Sequence, residues 1–216
     1  MALSSRWNAP LSEAAERRLS RVADLGERAI SVVLYASLAV RVGAVAARQP
    51  WELAILLPEG LVVAFMIARR RPTSVTTRPW DWLIALIGTA SPMLVAPGGE
   101  SLVSPWLGLA LIFGGLGFSI WAKLSLRRSF GLAAANRGLV SSGAYGLVRH
   151  PIYAGYLLSD VGFLLMNPTA RNLSLYALAV GLAVARIHAE ERLLSLDPLY
   201  AAFMAKVRYR LAPGLY

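Results

Sequence analysis

Residues 106–126, WLGLALIFGGLGFSIWAKLSL, carry a single charged side chain, Lys123, in an otherwise apolar run. A membrane-spanning helix needs about 20 mostly apolar residues, so this stretch reads as one. Comparable stretches lie on either side. They cover 29–46, interrupted by Arg41, then 53–68, which contains Pro58 and Glu59, and 82–96, where Pro92 predicts a kink. Beyond the quoted run come 153–166 and 173–187, and the turn from Asn167 to Asn172 predicts a tight helical hairpin between them. The expected fold is all-α: a polytopic membrane protein with about six membrane-embedded helices. Within the quoted run, Gly108, Gly114, Gly115 and Gly117 cluster, and Gly115 and Ser119 are four apart. Small residues at that spacing let helix backbones approach closely, although a glycine face can also border a ligand.

Composition agrees with a membrane. The chain has 216 residues, 56% apolar and 16% charged, and its mean hydropathy is +0.54. Soluble domains average about 45–50% apolar and about 25% charged. The net charge is nevertheless +10. An oily, basic chain fits cations lining one face of a bilayer better than it fits nucleic-acid binding. There is no cysteine, which excludes disulfide scaffolds, thiolate catalysis and thiolate metal sites. With only His150 and His188, no metal site is expected.

The loops set orientation through their Lys and Arg content. One set of loops holds Arg6, Arg17, Arg18, Arg21 and Arg28, then Arg69, Arg70, Arg71 and Arg78. The same set continues with Lys123, Arg127, Arg128, Arg137 and Arg149, and with Arg186, Arg192, Lys206, Arg208 and Arg210. The alternate loops hold only Arg48 and Arg171, with Arg41 inside a span. Both termini are therefore expected in the cytoplasm, and a bacterial inner membrane is the expected location. Residues 1–28 read as an amphipathic arm on anionic headgroups, with Leu19, Val22 and Leu25 opposite Arg17, Arg18 and Arg21. Residues 29–126 then hold four spans, and 127–216 hold a loop, a helical hairpin and a C-terminal helix and tail. Oligomeric state is not legible.

Arg41, Glu59 and Asp160 fall within apolar stretches, where an ionised group is costly unless paired or hydrated. They fit either a proton path or polar pocket, or an internal ion pair or neutral carboxyl bonded between helices.

From Phe130 to His150 the hydropathy falls, and glycines and serines break any helix. His150 precedes Pro151, which favours an extended residue followed by a helix start. Arg186 and Glu190 share one helical face four residues apart, as an ion pair would, while Glu191 points about 100° away. The tail through Tyr209 and Arg210 is basic and aromatic, as a solvated or headgroup-bound segment would be.

Three blocks change the reading. Leu139-Val140-Ser141-Ser142-Gly143-Ala144-Tyr145 with Arg149-His150-Pro151-Ile152-Tyr153-Ala154-Gly155, then Arg186-x-x-x-Glu190-Glu191, then Arg210-Leu211-Ala212-Pro213-Gly214 occur in order. Together they resemble the signature of the isoprenylcysteine carboxyl methyltransferase family. The resemblance implies a membrane methyltransferase that uses S-adenosylmethionine on a lipophilic or small acceptor: a carboxylate, thiol or amine. It implies cofactor contacts from Arg137, Gly138, Leu139, Val140, Tyr145, His150, Pro151, Ile152, Tyr153 and Glu190 in a cytoplasmic loop and its flanking helices. Arg186 corresponds to the substrate-contacting arginine, and Arg186, Glu190 and His150 are the expected catalytic set. Arg137 stands where the family often has a histidine, and Phe203 where it has a second tyrosine.

Residue chemistry suits that cofactor. Glu190 can take an ammonium or ribose hydroxyls, loop amides a carboxylate, and Tyr145 or Tyr153 an adenine. Two other readings remain. A membrane reductase of the sterol-reductase type, using NADPH, shares the Arg-His-Pro-x-Tyr-x-Gly element. A non-enzymatic membrane protein would use Arg41, Glu59 and Asp160 as a polar network.

Overall fold

A computed structural model describes residues 13–46, 56–68, 74–76, 78–126, 129, 135–214 and 216. Seven α-helices occupy these residues: α1 Glu13–Ala46, α2 Leu56–Ala68, α3 Pro79–Ala90, α4 Pro105–Leu126, α5 Pro151–Met166, α6 Ala170–Leu194 and α7 Pro198–Lys206. Four of them begin at a proline, whose fixed φ suits the first helical position and whose missing N–H costs nothing there. The only strands among the described residues are β1 Ser74–Val75 and β2 Ala135–Asn136, paired antiparallel. The described chain is thus all-helical apart from one short bridge.

A helix overlaps each of the six apolar stretches, and among the described residues two helices are long and apolar enough to cross a membrane: Pro105–Leu126 and Ala170–Leu194. α5 is a shorter apolar helix. At 1.5 Å per residue α2 and α3 reach only about 20 Å, less than the hydrocarbon core. Pro92 does more than kink its segment: α3 stops at Ala90, and a 3-10 turn covers Ser91–Leu94. No proline interrupts 13–46, so α1 passes without a break through position 28, where a separate arm was expected to end.

α4 and α5 form the closest helix pair. A Cβ added at Gly155 would lie 2.7 Å from the Gly115 carbonyl oxygen and from the Ser119 nitrogen. One at Gly162 would lie 2.8 Å from Leu111. Of the glycines in α4, Gly108 and Gly115 face this seam, whereas Gly114 and Gly117 border open space. Lys123, counted by sequence among the loop cations, is instead fully buried, its ammonium 4.7 Å from the centre of the Tyr156 ring.

The α5–α6 turn is held by side-chain amides. Asn172 is completely buried; its side chain donates to the Ala96 and Asn167 carbonyls and accepts from the Ala96 N–H. Arg41 and Arg171 meet one turn nearby: Arg41 donates to the Met93 carbonyl and Arg171 to that of Leu94. Arg41 is exposed and placed at that end of the bundle. The Glu59 side chain lies outside the described residues.

Candidate functional site

The site grows from a backbone clamp at the other end of α5. His150 precedes Pro151 and takes a non-helical conformation (φ −127, ψ 61), as the steric demand of a following proline favours. Its N–H and that of Arg149 are left for another segment, and they donate to the Arg210 and Tyr209 carbonyls, both at 2.9 Å. The Arg149 guanidinium spans the same gap, reaching the Val207 and Arg208 carbonyls at 2.9 and 2.8 Å. The C-terminal tail is therefore docked along the Arg149-His150 segment, contrary to the solvated or headgroup-bound tail expected from its charge.

Glu191 joins all three sequence blocks. Its carboxylate accepts from Arg149 Nε at 2.7 Å, from His150 Nε2 at 3.1 Å and from Arg210 Nε at 2.9 Å. Charge-assisted bonds of this kind are short and directional, and the buried guanidinium and carboxylate each satisfy the other. Sequence spacing pointed Glu191 away from Arg186, which is correct, but gave no sign that it bridges segments remote in the chain.

Glu190, one residue earlier, turns toward a cavity. Tyr153 donates its hydroxyl proton to Oε1 at 2.6 Å, and His150 Nδ1 lies 3.6 Å from Oε2. Burial works against charge on His150, but hydrogen bonds to Glu190 and Glu191 outweigh it and raise the imidazole above its ordinary pKa. The ring thus lies between two carboxylates, which favour its charged form. Arg186 lies over the Tyr153 ring at 5.2 Å and donates to Thr89 Oγ1 at 3.3 Å.

The loop side is built by local polar bonds. Gly138 has φ +94, a left-handed value that glycine adopts freely. Its N–H donates to Asn136 Oδ1 at 3.0 Å, and Asn136 Nδ2 donates to Asp197 at 3.1 Å. Asp197 also caps α7 by accepting from the Leu199 N–H at 2.9 Å, the role that an aspartate ahead of Pro198 favours. Arg137 pairs with Glu27 of α1 at 3.2 Å, both side chains 2% exposed. The helix expected to rest on headgroups therefore buries an acid against the loop.

These elements enclose a cavity of about 420 Å³. Arg137, Gly138, Leu139, Val140, Tyr145, His150, Ile152, Tyr153, Arg186 and Glu190 all line it. Pro151 does not; it is buried at the start of α5. Sequence reading missed Asn136, Asp197 and Tyr200, which also line the cavity. Only Asp197-Pro198 carried a local signal, as a helix cap. Burial keeps the Tyr145 phenol neutral, its pKa pushed well up by desolvation and then by Glu190 and Tyr200. His188, by contrast, is exposed and lies within its own helix, against the Val184 carbonyl.

Away from the clamp the lining becomes apolar. It continues between α5 and α6 past Leu157, Val180 and Ala183 to Pro92, Met93 and Phe163. The cavity thus has a charged end and a mostly apolar end that holds the Asp160 carboxyl.

Residues 108–196 match the sequence profile of the isoprenylcysteine carboxyl methyltransferase (ICMT) family. No curated protein matches the chain significantly.

Proposed function

From the premise that residues 108–196 form an ICMT-family segment, we propose that the protein is a membrane-embedded methyltransferase that uses S-adenosylmethionine on a lipophilic acceptor. The family's activity is methyl transfer in a membrane. The observation that carries the finer reading is the two-ended cavity, with Glu190, His150 and Tyr153 at one end and apolar α5–α6 walls at the other.

The residues at the charged end suit the cofactor. Glu190 has the charge to hold an ammonium or to accept from ribose hydroxyls, and the amides of Leu139 and Val140 can donate to a carboxylate. Tyr145, Ile152 and Tyr153 offer flat and apolar surface for an adenine. When bound, S-adenosylmethionine supplies an electrophilic methyl carbon on its sulfonium.

The remaining work falls to this chain. His150 and Tyr153 orient Glu190 before a ligand arrives, so little reorganisation accompanies binding. Arg186, fixed between Tyr153 and Thr89, has the charge to hold an anionic acceptor. Methyl transfer needs nucleophile, carbon and sulfur in line, so positioning carries much of the acceleration. Apolar walls limit water around the reacting groups. On the distribution of Lys and Arg, the charged end faces the cytoplasm.

Calorimetry on detergent-purified protein tests this reading with S-adenosylhomocysteine and NADPH as probes. Binding of S-adenosylhomocysteine alone, weakened about tenfold by Glu190→Gln, is expected. Binding of NADPH alone would move the protein to the reductases. Binding of neither would remove the site's enzymatic reading.

A further inference from the structure

We propose that the methyl acceptor is polar at both ends: besides the group that receives the methyl, it carries a hydrogen-bond donor, a hydroxyl or an ammonium, that Asp160 accepts at the inner end of the cavity. The proposal rests on the methyltransferase reading above and adds the class of acceptor.

The argument begins on α5. Tyr153, Tyr156, Asp160 and Phe163 all line the cavity, and their spacing of three and four residues puts them on one helical face. Seven residues separate Tyr153, at the charged end, from Asp160, which is about 10 Å along the helix axis. Between and around them the walls are apolar, with Leu157, Val180 and Ala183 lining the same space. Asp160 is therefore a half-buried carboxyl facing a mostly apolar stretch of the cavity.

Nothing in the described structure satisfies it. Among the described residues no hydrogen bond or ion pair reaches the Asp160 carboxyl. Among the described residues, Arg41 and Arg171 at that end of the bundle are engaged elsewhere, Arg41 with the Met93 carbonyl and Arg171 with that of Leu94. Tyr176 lines the cavity nearby but is buried against Phe163, ring centres 6.2 Å apart. A polar network of Arg41 and Asp160 is thus not formed.

A buried carboxyl that loses water and gains no partner costs more than a hydrogen bond is worth. A purely hydrocarbon acceptor would impose that cost each time it filled the chamber. An acceptor whose far end donates a hydrogen bond removes it. Sites of this kind discriminate strongly, because the analogue lacking the donor leaves the protein group unpaired. Asp160 is on this account a specificity-determining residue, remote from the transferred methyl.

Competition calorimetry in detergent, with S-adenosylhomocysteine saturating, tests the proposal with three probes: decanoate, ω-hydroxydecanoate and ω-aminodecanoate. Their acid group suits Arg186, and their chains span the distance to Asp160. The quantity read is each ω-substituted acid's affinity relative to decanoate, which cancels partition into micelles when variants are compared. Wild-type protein should prefer at least one ω-substituted acid, and Asp160→Leu should shift that ratio about tenfold toward decanoate. Asp160→Asn should retain a preference for the hydroxyl but lose one for the ammonium, which distinguishes the two donors. If Asp160→Leu fails to fold, the Asn variant and the wild-type ratio decide. An unchanged ratio in the variants, no wild-type preference, or no binding of any probe overturns the proposal. The methyltransferase reading fails separately, if S-adenosylhomocysteine does not bind to the wild-type protein.

Discussion

The two faces of α5 do opposite things with the same helix. On one, Gly155, Ser159 and Gly162 bring the backbone against α4 so closely that a single added methyl would meet main-chain atoms. On the other, Tyr153, Tyr156, Asp160 and Phe163 border an open chamber shared with α6. The stripes are about 110° apart around the helix. The end of α6 repeats the division in adjacent residues: Glu191 is locked among Arg149, His150 and Arg210, while Glu190 borders the cavity. The clamp residues Arg149 and His150 line the same cavity.

The comparison breaks most severely at the clamp. Glu191→Ala would leave the Arg149 guanidinium buried without its carboxylate and the His150 ring with Glu190 alone. Loss of one partner of a buried ion pair costs about 3–5 kcal/mol, which for a chain of this size lowers Tm by on the order of 10 °C. Thermal unfolding in detergent measures it. A Tm equal to that of wild type would mean that the three blocks are held together by something other than Glu191. The seam comes next. Gly155→Leu forces α4 and α5 apart and should cost about 1–3 kcal/mol, with the loss read as a lower Tm. Gly114→Leu, facing open space on the same α4, should leave Tm nearly unchanged. Equal effects at the two glycines would refute the close approach.

Much of this division was legible in the sequence, and its limits are physical. Hydropathy located the six apolar helical segments because an apolar run leaves a compositional mark over its whole length. It could not say which helices cross, since α2 and α3 are apolar but short. The glycine cluster signalled a close seam, yet only Gly108 and Gly115 of the four face it, because the partner's position fixes the angle. Charge misled at Lys123 and Arg137, whose burial depends on Tyr156 and on Glu27 of α1. The cavity residues of the loop and of α5 were named from motifs. Glu191, Asp197 and Tyr200 join the site through contacts between distant segments, and no local pattern encodes those.

Glu190→Gln sharpens the contrast between the adjacent acids. It removes charge at the cavity while sparing the clamp, so Tm should fall far less than in Glu191→Ala. The affinity for S-adenosylhomocysteine should drop about tenfold. Reversed outcomes, with Glu190→Gln destabilising and Glu191→Ala merely weakening the ligand, would exchange the roles assigned to the two acids.

The smallest effect is one of pH, and it belongs to His150, which touches both sides of the division. Its folded-state pKa lies above the ordinary histidine value, because hydrogen bonds to Glu190 and Glu191 outweigh the burial that opposes its charge. The folded protein therefore binds this proton more tightly than the unfolded chain does. By linkage the resulting stabilisation is complete below the ordinary value of about 6.5 and is lost as pH rises through the raised value. Wild-type Tm should thus decline as pH rises above about 6.5, and His150→Gln, which cannot titrate, should lack that component of the decline. A wild-type profile that superimposes on that of His150→Gln would show that the imidazole is not held charged, and that Glu191 keeps its place through the two arginines alone.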